Sequence, residues 1–203
     1  GGTGSGAIKT FIQIAKKALP NAKVNVVAIL PSLKEDELAF KNTLECWNDI
    51  NSIMNLINDV KFVDNNKRNT YKEINNEVID SLDLSYNIMG IHADGNIDNK
   101  DSFRINTAEG SGLVLKLYDG LKDTKTAIDL AIQNSVFVQP DVYDCYYLAI
   151  NLKSDGYDPY EVSKLFEVYR STYITYNNKH NIVVLGGCET PTESINLVKM
   201  ALE

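Results

Sequence analysis

The 203-residue sequence has few cysteines and histidines and no long apolar run. Its cysteines, Cys46, Cys145 and Cys188, are odd in number and far apart, which indicates free thiols in a reducing cytoplasm rather than a disulfide scaffold. Neither His92 nor His180 belongs to a metal-ligand spacing. No apolar stretch reaches membrane-spanning length, and we expect no secretory signal. We therefore expect a cytoplasmic protein with no membrane partner and no metal site built from protein ligands alone.

Positive charge is also scarce. The 20 Lys and Arg residues against 27 Asp and Glu residues give a net charge of -7. An acidic chain repels a phosphate backbone, and no local basic cluster offsets this repulsion, so we expect no direct nucleic-acid contact. The sequence opens inside a glycine-rich motif and without Met, and we expect it to be a fragment of a longer protein.

The spacing of apolar residues predicts helices alternating with short strands. The predicted helices cover 7–19, 70–90, 121–134 and 158–169. One more helix is predicted to start after 7–19 with a capping box formed by Ser32 and Glu35. The predicted strands cover 23–30, 60–66, 112–120, 145–152 and 181–187. The closing segment 194–203 is compatible with a strand or a helix, and we interpret it as a strand. This alternation predicts an α/β fold with right-handed crossovers, in which the helix at 70–90 separates two small halves.

The opening stretch GGTGSGA places glycines and hydroxyl side chains directly before a helix. Glycine allows the backbone to approach a ligand closely, and a helix N-terminus attracts an anion such as phosphate. No Lys-Ser or Lys-Thr follows, so the stretch is not a Walker-type P-loop. The predicted phosphate-binding residues are Gly1, Gly2, Thr3, Gly4, Ser5 and Gly6.

Two other interpretations of this stretch stay open. Gly2, Gly4 and Ala7 match the G-x-G-x-x-A pattern of a dinucleotide site, which predicts an NAD(P)-dependent oxidoreductase. In that pattern the next strand ends in an acid that holds a ribose hydroxyl, whereas here it ends at Leu30-Pro31. The stretch is also compatible with a tight turn that binds nothing.

The segment TYKEINNEV carries the second candidate binding group. Tyr71 and Asn75 are four residues apart in a predicted helix, so their side chains share one face. An aromatic ring can stack on a base, and an amide can both donate to and accept from its edge. The alternative is a solvent-facing helix start without a ligand.

The segment GNIDNKDS is rich in oxygen-bearing side chains. A carboxylate within reach of a water molecule can orient and polarise it beside a terminal phosphate. The segment is also compatible with an Asx-rich surface turn or a calcium-like loop, although it lacks the sixth-position glycine and the closing glutamate of an EF-hand.

Taken in order, these segments resemble the tubulin/FtsZ superfamily. The opening stretch is similar to its GGGTGSG phosphate loop, Thr70-Tyr71 with Asn75 resembles the start of its central helix, and 96–101 resembles its N-x-D-x-x-D loop. FtsZ has Phe-Ala where this chain has Asn99-Lys100. With its Asn-rich composition, the chain is more similar to the plasmid and phage tubulins of the TubZ type.

The resemblance implies an α/β fold in three parts. These are the C-terminal half of a Rossmann-like GTP-binding domain (1–68), a long central helix (69–91), and an α/β activation domain with a small mixed sheet and the catalytic loop at its start (92–203). It implies GTP or GDP with Mg²⁺ as cofactors. The implied catalytic residues are Asp98, its partner Asp101 and the positioning amide Asn96, and the further implied nucleotide-binding residues are Glu37, Asn65, Tyr71 and Asn75.

The resemblance also implies a GTPase that polymerises head to tail in a bacterial host cell, with the acidic loop reaching the nucleotide of the next subunit. For the TubZ type it implies segregation of plasmid or phage DNA through a DNA-binding adaptor protein. An FtsZ-type ring of cell division stays open. A filament that binds nucleotide without hydrolysis also stays open, because Asn99-Lys100 departs from the FtsZ loop.

Overall fold

The computed structural model describes residues 2–121, 123–177 and 179–202, with the backbone alone for Gly2 and Thr3, and it confirms the α/β class. The helices are α1 Gly2–Ala18, α2 Glu37–Ser52, α3 Tyr71–Tyr86, α4 Asn99–Asn106, α5 Thr124–Asn134, α6 Pro159–Ser163 and α7 Thr192–Met200, with a 3₁₀ turn at Met54–Leu56. The strands are β1 Asn25–Leu30, β2 Asp59–Asp64, β3 Gly90–His92, β4 Gly95–Ile97, β5 Gly110–Lys116, β6 Cys145–Lys153, β7 Val168–Asn177 and β8 Ile182–Cys188.

The main sheet is mixed and runs through the whole described chain. Its strand order is β1-β2-β5-β8-β6-β7, and β8 is antiparallel to both of its neighbours while the other pairs are parallel. In the described ranges β2 and β5 are joined through Asp59↔Gly110 and Val60↔Ser111, a narrow seam. Strands from both predicted halves thus share one sheet, and the domain boundaries stay predictions.

Two hydrophobic clusters lie on either side of this seam. One cluster packs β1, β2, α1 and α2 together and includes Phe40, Ile50 and Phe62. The other is built around β5, β8 and β6, with Leu115 and Leu148 fully buried. The seam therefore joins two separately packed cores. No helix in the described ranges is long and apolar enough to cross a membrane.

The interpretation of 194–203 as a strand was wrong, because 192–200 form helix α7. Ile195 and Val198 are spaced three residues apart and bury together in the cluster around α2. The carboxylate of Asp141 accepts hydrogen bonds from the backbone N–H groups of Thr192 (3.0 Å) and Glu193 (3.3 Å) and so stabilises the helix start.

The predicted helix at 158–169 was too long. Helix α6 ends at Ser163, and Val168–Asn177 pair with β6 instead. This strand, VYRSTYITYN, is rich in aromatic and β-branched residues, which favour a pleated surface. A hairpin of β3 and β4 and the short helix α4 form the region for which the resemblance implied a catalytic loop.

The N-cap of helix α2 lies four residues later than predicted. It is Asp36, whose carboxylate accepts from the N–H of Ala39 (3.0 Å). Glu35 does accept from the N–H of Ser32 (2.9 Å), as a capping box requires, but residues 32–35 form a separate turn. This turn brings Glu35 to the end of the sheet.

Candidate functional site

A cleft of about 640 Å³ runs along the edge strand β1, from Val26 to Leu30, between α1 and α2, and it reaches Asn65 and Tyr71 beyond the carboxyl ends of β1 and β2. Its wall is largely apolar and includes Trp47. Of the residues predicted to bind nucleotide, the structure places these on its lining: Gly4, Ser5, Asn65 and Tyr71. Crevices beyond the carboxyl ends of parallel strands are frequent ligand sites in α/β proteins.

Glu35 connects the polar groups of the cleft. Its Oε1 atom accepts hydrogen bonds from the Tyr71 phenol (3.1 Å), the Ser32 N–H (2.9 Å) and, at 3.4 Å, the Asn65 amide. Sequence reasoning assigned Glu35 to a helix cap and missed it as a cleft residue. The local pattern held no signal for this role, because Tyr71 is 36 residues further along the chain.

The Tyr71 ring stands at the first residue of α3 and is 52% exposed. Partial desolvation, together with the hydrogen bond to Glu35 and its charge, raises the pKa of the Tyr71 phenol. Thr70 caps α3 through a reciprocal capping box with Glu73. The start of α3 is therefore well defined, while the ring itself keeps an open side.

Contacts made by the side chains of Arg68 and Asn66 hold the segment between β2 and α3. Arg68 forms an ion pair with Glu77 at 2.8 Å and also donates to the carbonyl of Asn134 (2.7 Å). The Asn66 amide donates to Asp64 and accepts from the N–H of Leu33, both at 2.8 Å. The loops that follow β1 and β2 are thereby tied to each other.

The glycine-rich stretch is helical instead of forming a loop. Residues 2–6 make the first turns of α1, and Gly1 lies outside the described residues. The predicted loop was wrong for these residues because glycine also adopts right-handed helical angles and here continues the amphipathic helix. The strand–turn–helix context of a dinucleotide fingerprint is consequently not formed at Gly2 and Gly4.

The first turn of α1 nevertheless borders the cleft through Gly4 and Ser5. A Cβ atom added at Gly4 or Gly6 would meet nothing within 4 Å, so packing inside this chain does not demand glycine there. The free N–H groups of a helix start attract anions. This edge of the cleft is therefore suited to phosphate.

Three predicted binding residues that the structure describes in full, Gly6, Glu37 and Asn75, are not on the cleft lining. Glu37 lies in the first turn of α2 and pairs with Lys41 at 2.5 Å. Asn75 is exposed, one turn after Tyr71 in α3. Their assignment to the nucleotide stays a prediction.

The acidic segment forms the end of β4 and the start of α4. Asp98 is the N-cap of α4, and its Oδ1 atom accepts from the N–H groups of Lys100 (2.7 Å) and Asp101 (2.9 Å). The Asp101 carboxylate accepts in return from the Asp98 N–H (3.3 Å). The pKa of Asp98 is lowered, chiefly because its carboxylate accepts the hydrogen bond from the Asp101 N–H. The hydrogen bond from the Lys100 N–H and the positive charge of Lys100 lower it further. Asn96 is exposed on β4. This segment offers carboxylate oxygens that can accept hydrogen bonds from water.

Tyr71 of the cleft and Asp98 of the acidic segment lie at opposite ends of α3. Tyr71 begins this 16-residue helix, and Asp98 follows the hairpin that comes after its end. At 1.5 Å per residue the helix alone separates the two ends by about 24 Å. Asp98 is therefore remote from the Tyr71 end of the cleft in the same chain.

Mg²⁺ commonly binds through substrate phosphates, waters and one or two carboxylates rather than an all-protein cage. Among the residues that the structure describes, no group of three or more Asp, Glu, His or Cys side chains could hold a metal ion. The cleft lining includes the carboxylates of Glu35 and Asp36. The donor set fits a Mg²⁺ ion held chiefly by nucleotide phosphates and waters.

No protein-family model matches the chain. A curated relative, the tubulin-like protein TubZ of Clostridium botulinum C phage, is 29% identical over 205 residues, which cover 100% of this chain and 57% of that protein. The chain thus spans little more than half of the length of this relative.

Solved structures agree with this similarity. The crystal structure of Clostridium botulinum phage c-st TubZ superimposes with a TM-score of 0.91 at 28% identity, covering 100% of this chain and 67% of the other. GDP-form protofilaments of TubZ from Bacillus thuringiensis serovar israelensis give a TM-score of 0.75 at 15% identity, covering 98% and 64%, which shows the fold alone. The resemblance to tubulin-like proteins of the TubZ type is confirmed.

Proposed function

We propose that this chain is part of a GTP-binding, GTP-hydrolysing protein that polymerises head to tail into filaments. The observation that carries the proposal is the separation of the two functional ends. The cleft with Tyr71 lies at the start of α3, and the capped carboxylate of Asp98 lies beyond its end. A head-to-tail neighbour can place its Asp98 beside the phosphates in this cleft, whereas the chain's own Asp98 is remote from Tyr71.

In this arrangement the cleft of one subunit binds the nucleotide, and the acidic segment of the next subunit acts on the attacking water. The Tyr71 ring stacks on guanine, and Asn65 and Glu35 offer an amide and a carboxylate to the base or sugar. The first turn of α1 receives the phosphates, whose charge Mg²⁺ would neutralise. Asp98 of the next subunit, ionised and with Asp101 beside it, orients the attacking water. Asn96 helps to position that water.

Assembly is the second part of the proposal. A heterologous contact repeated along an axis produces open filaments rather than closed rings. The TubZ structure from Bacillus thuringiensis was described as a GDP-form protofilament, which supports the same arrangement here. With a phage TubZ as a relative, we propose that the filament moves plasmid or phage DNA through a DNA-binding adaptor protein in a bacterial cell.

GTP turnover per subunit, measured against protein concentration, tests the proposal. We expect turnover to begin above a critical concentration, because the site needs two subunits. Turnover that does not depend on concentration would indicate a self-contained site and contradict the head-to-tail arrangement. Absence of GTP binding would contradict the nucleotide assignment itself.

A filament that binds GTP without hydrolysing it is the second candidate. It is favoured by the engagement of Asp98 as the cap of α4 and by its lowered pKa, which make this carboxylate a poor proton acceptor. Filaments that stay assembled with intact GTP, with no phosphate release above background, would support this candidate over the first.

A further inference from the structure

The β3–β4 hairpin, which leads directly into the acidic segment, lies against strand β7. Two of its glycines make the closest approach. A Cβ atom at Gly90 would stand 2.7 Å from the Thr175 Oγ1 atom and 3.1 Å from its Cγ2 atom, and a Cβ atom at Gly95 would overlap the carbonyl oxygen of Ile174. Neither glycine is among the described residues with positive φ. These positions therefore require glycine for space rather than for backbone conformation.

Two further contacts fix the same hairpin. The ring of His92 lies 4.7 Å from the ring of Tyr176, and the buried amide of Asn151 donates to the carbonyl of Ile88 (2.8 Å). Asn177 in turn donates to the Asn151 side chain. We call these contacts the hairpin clamp, formed by Ile88, Gly90, His92 and Gly95 on one side and Asn151, Ile174, Thr175 and Tyr176 on the other.

We propose that the hairpin clamp positions Asp98 for hydrolysis on the neighbouring subunit, an inference that rests on the proposed function. Ile97, the last residue of β4, is 1% exposed, and Asp98 follows it directly. A shift of the hairpin on β7 is therefore passed to the Asp98 carboxylate. A misplacement of about 1 Å can cost a reaction on the order of 100-fold. Gly90, Gly95 and Asn151 are positioning residues in this arrangement.

The Thr175 hydroxyl allows a compensation experiment. Thr175 is fully buried, and its Oγ1 atom has no hydrogen-bond partner within the part of the chain that the structure describes. Removing this hydroxyl leaves no hydrogen-bond partner unpaired among the described residues, although alanine also removes the buried Cγ2 methyl and leaves a small cavity, so Thr175→Ala serves as the reference for the double variant. Thr175→Ala would leave only the Cβ atom, 3.5 Å from an alanine Cβ at position 90, which is ordinary contact.

The experiment compares Gly90→Ala, Thr175→Ala and the double variant in the purified protein. GTP affinity, critical concentration and turnover above that concentration are measured for each. We expect Gly90→Ala to lower turnover about tenfold, by a displacement smaller than 1 Å, with GTP affinity unchanged because the cleft is remote. The double variant should recover turnover to within about threefold of Thr175→Ala, since the clash is gone. Ser171→Ala, on the same strand but outside the hairpin clamp, is the matched control and should not change turnover.

His92→Ala provides a second variant if Gly90→Ala fails to fold. The His92 ring is exposed, and its loss removes the tilted ring contact with Tyr176 and the hydrogen bond that its Nδ1 atom accepts from the Asp94 N–H (3.2 Å), so we expect turnover to fall about two- to threefold. Three outcomes would overturn the inference. The first is unchanged turnover in Gly90→Ala or, if that variant does not fold, unchanged turnover in His92→Ala. The others are a double variant that does not recover turnover, and a variant that loses GTP affinity and turnover equally. A wild-type protein that binds no GTP would instead overturn the proposed function, and the inference with it.

Discussion

The two ends of α3 are built differently. At the cleft, Gly4 has no neighbour within 4 Å of a Cβ position, and the Tyr71 ring is 52% exposed. At the hairpin, Gly90 and Gly95 are packed against β7 and Ile97 is buried. An open end suits a ligand that enters and leaves, whereas a clamped end suits a group that must present one geometry to another molecule. Nucleotide binding and hydrolysis should therefore respond to separate substitutions.

The largest expected effect is at the clamped end. Asp98→Ala should lower GTP turnover by about 10²–10⁴-fold, the range for loss of a group that acts on the attacking water. GTP binding and assembly should persist, so that filaments become long-lived. Phosphate release and sedimentation of filaments measure the two effects.

Asp98→Asn is the matched control for this substitution. Asparagine caps a helix about as well as aspartate, so α4 keeps its start while the charge is lost. Turnover as low as in Asp98→Ala would assign the effect to the carboxylate. Full turnover in Asp98→Asn, with loss only in Asp98→Ala, would show that the cap matters and not the charge.

The next largest effect is expected on stability, at the seam between the two cores. Lys61 and Asp59 form a buried ion pair at 2.5 Å, and the Lys61 ammonium occupies the space left by Gly112. Lys61→Met should lower the free energy of unfolding by about 3–5 kcal/mol, because Asp59 is left charged and unpaired. Denaturant titration measures this loss, and Lys116→Met at an exposed position on β5 should change stability by less than about 0.5 kcal/mol.

The same variant has a defined pH dependence. The pKa of Asp59 is raised because burial disfavours its charged form, and this effect outweighs the opposing effect of the Lys61 charge and hydrogen bond. A carboxyl group with a raised pKa in the folded state contributes stability below its unfolded pKa and loses that contribution as pH rises through the folded pKa. The cost of Lys61→Met should therefore shrink as the pH is lowered. A cost that is constant with pH would contradict an unpaired charge as its cause.

A smaller effect is expected from Glu35 at the open end. Glu35→Ala should weaken GTP binding about tenfold, since hydrogen bonds to Tyr71, Ser32 and Asn65 are lost at about 0.5–1.5 kcal/mol each and are partly replaced by water. Glu35→Gln keeps an acceptor oxygen and should bind nearly as wild type. Titration with a fluorescent GTP analogue measures both, and equal affinities for all three proteins would remove Glu35 from the site.

The smallest expected effect is at Tyr71. Tyr71→Ala should cost about 0.5–1.5 kcal/mol of GTP binding through loss of stacking, whereas Tyr71→Phe keeps the ring and should cost less. Turnover by saturated filaments should stay the same in both variants. A loss of turnover without a loss of affinity would contradict the separation of the two ends.

Much of the candidate site could be predicted because its chemistry is local. Tyr71, with the Thr70 cap beside it, lies at a helix start, and Asp98 lies in a short acidic segment whose residue order is distinctive. Glu35 was missed because its partner Tyr71 is 36 residues away, and no periodicity reports such a contact. The glycine-rich stretch was misjudged because glycine is compatible with both a loop and a helix.

The sequence alone determined the α/β class, most of the helices and strands, and the order of the three motifs, because apolar periodicity and capping act over a few residues. Only the tertiary structure decided that 192–200 is a helix, that β7 exists at the sheet edge, and that the hairpin is held by Thr175 and Asn151. These features depend on packing between segments far apart in the chain. Packing of that kind overrides weak local preference, since burial stabilises a segment more than propensity does.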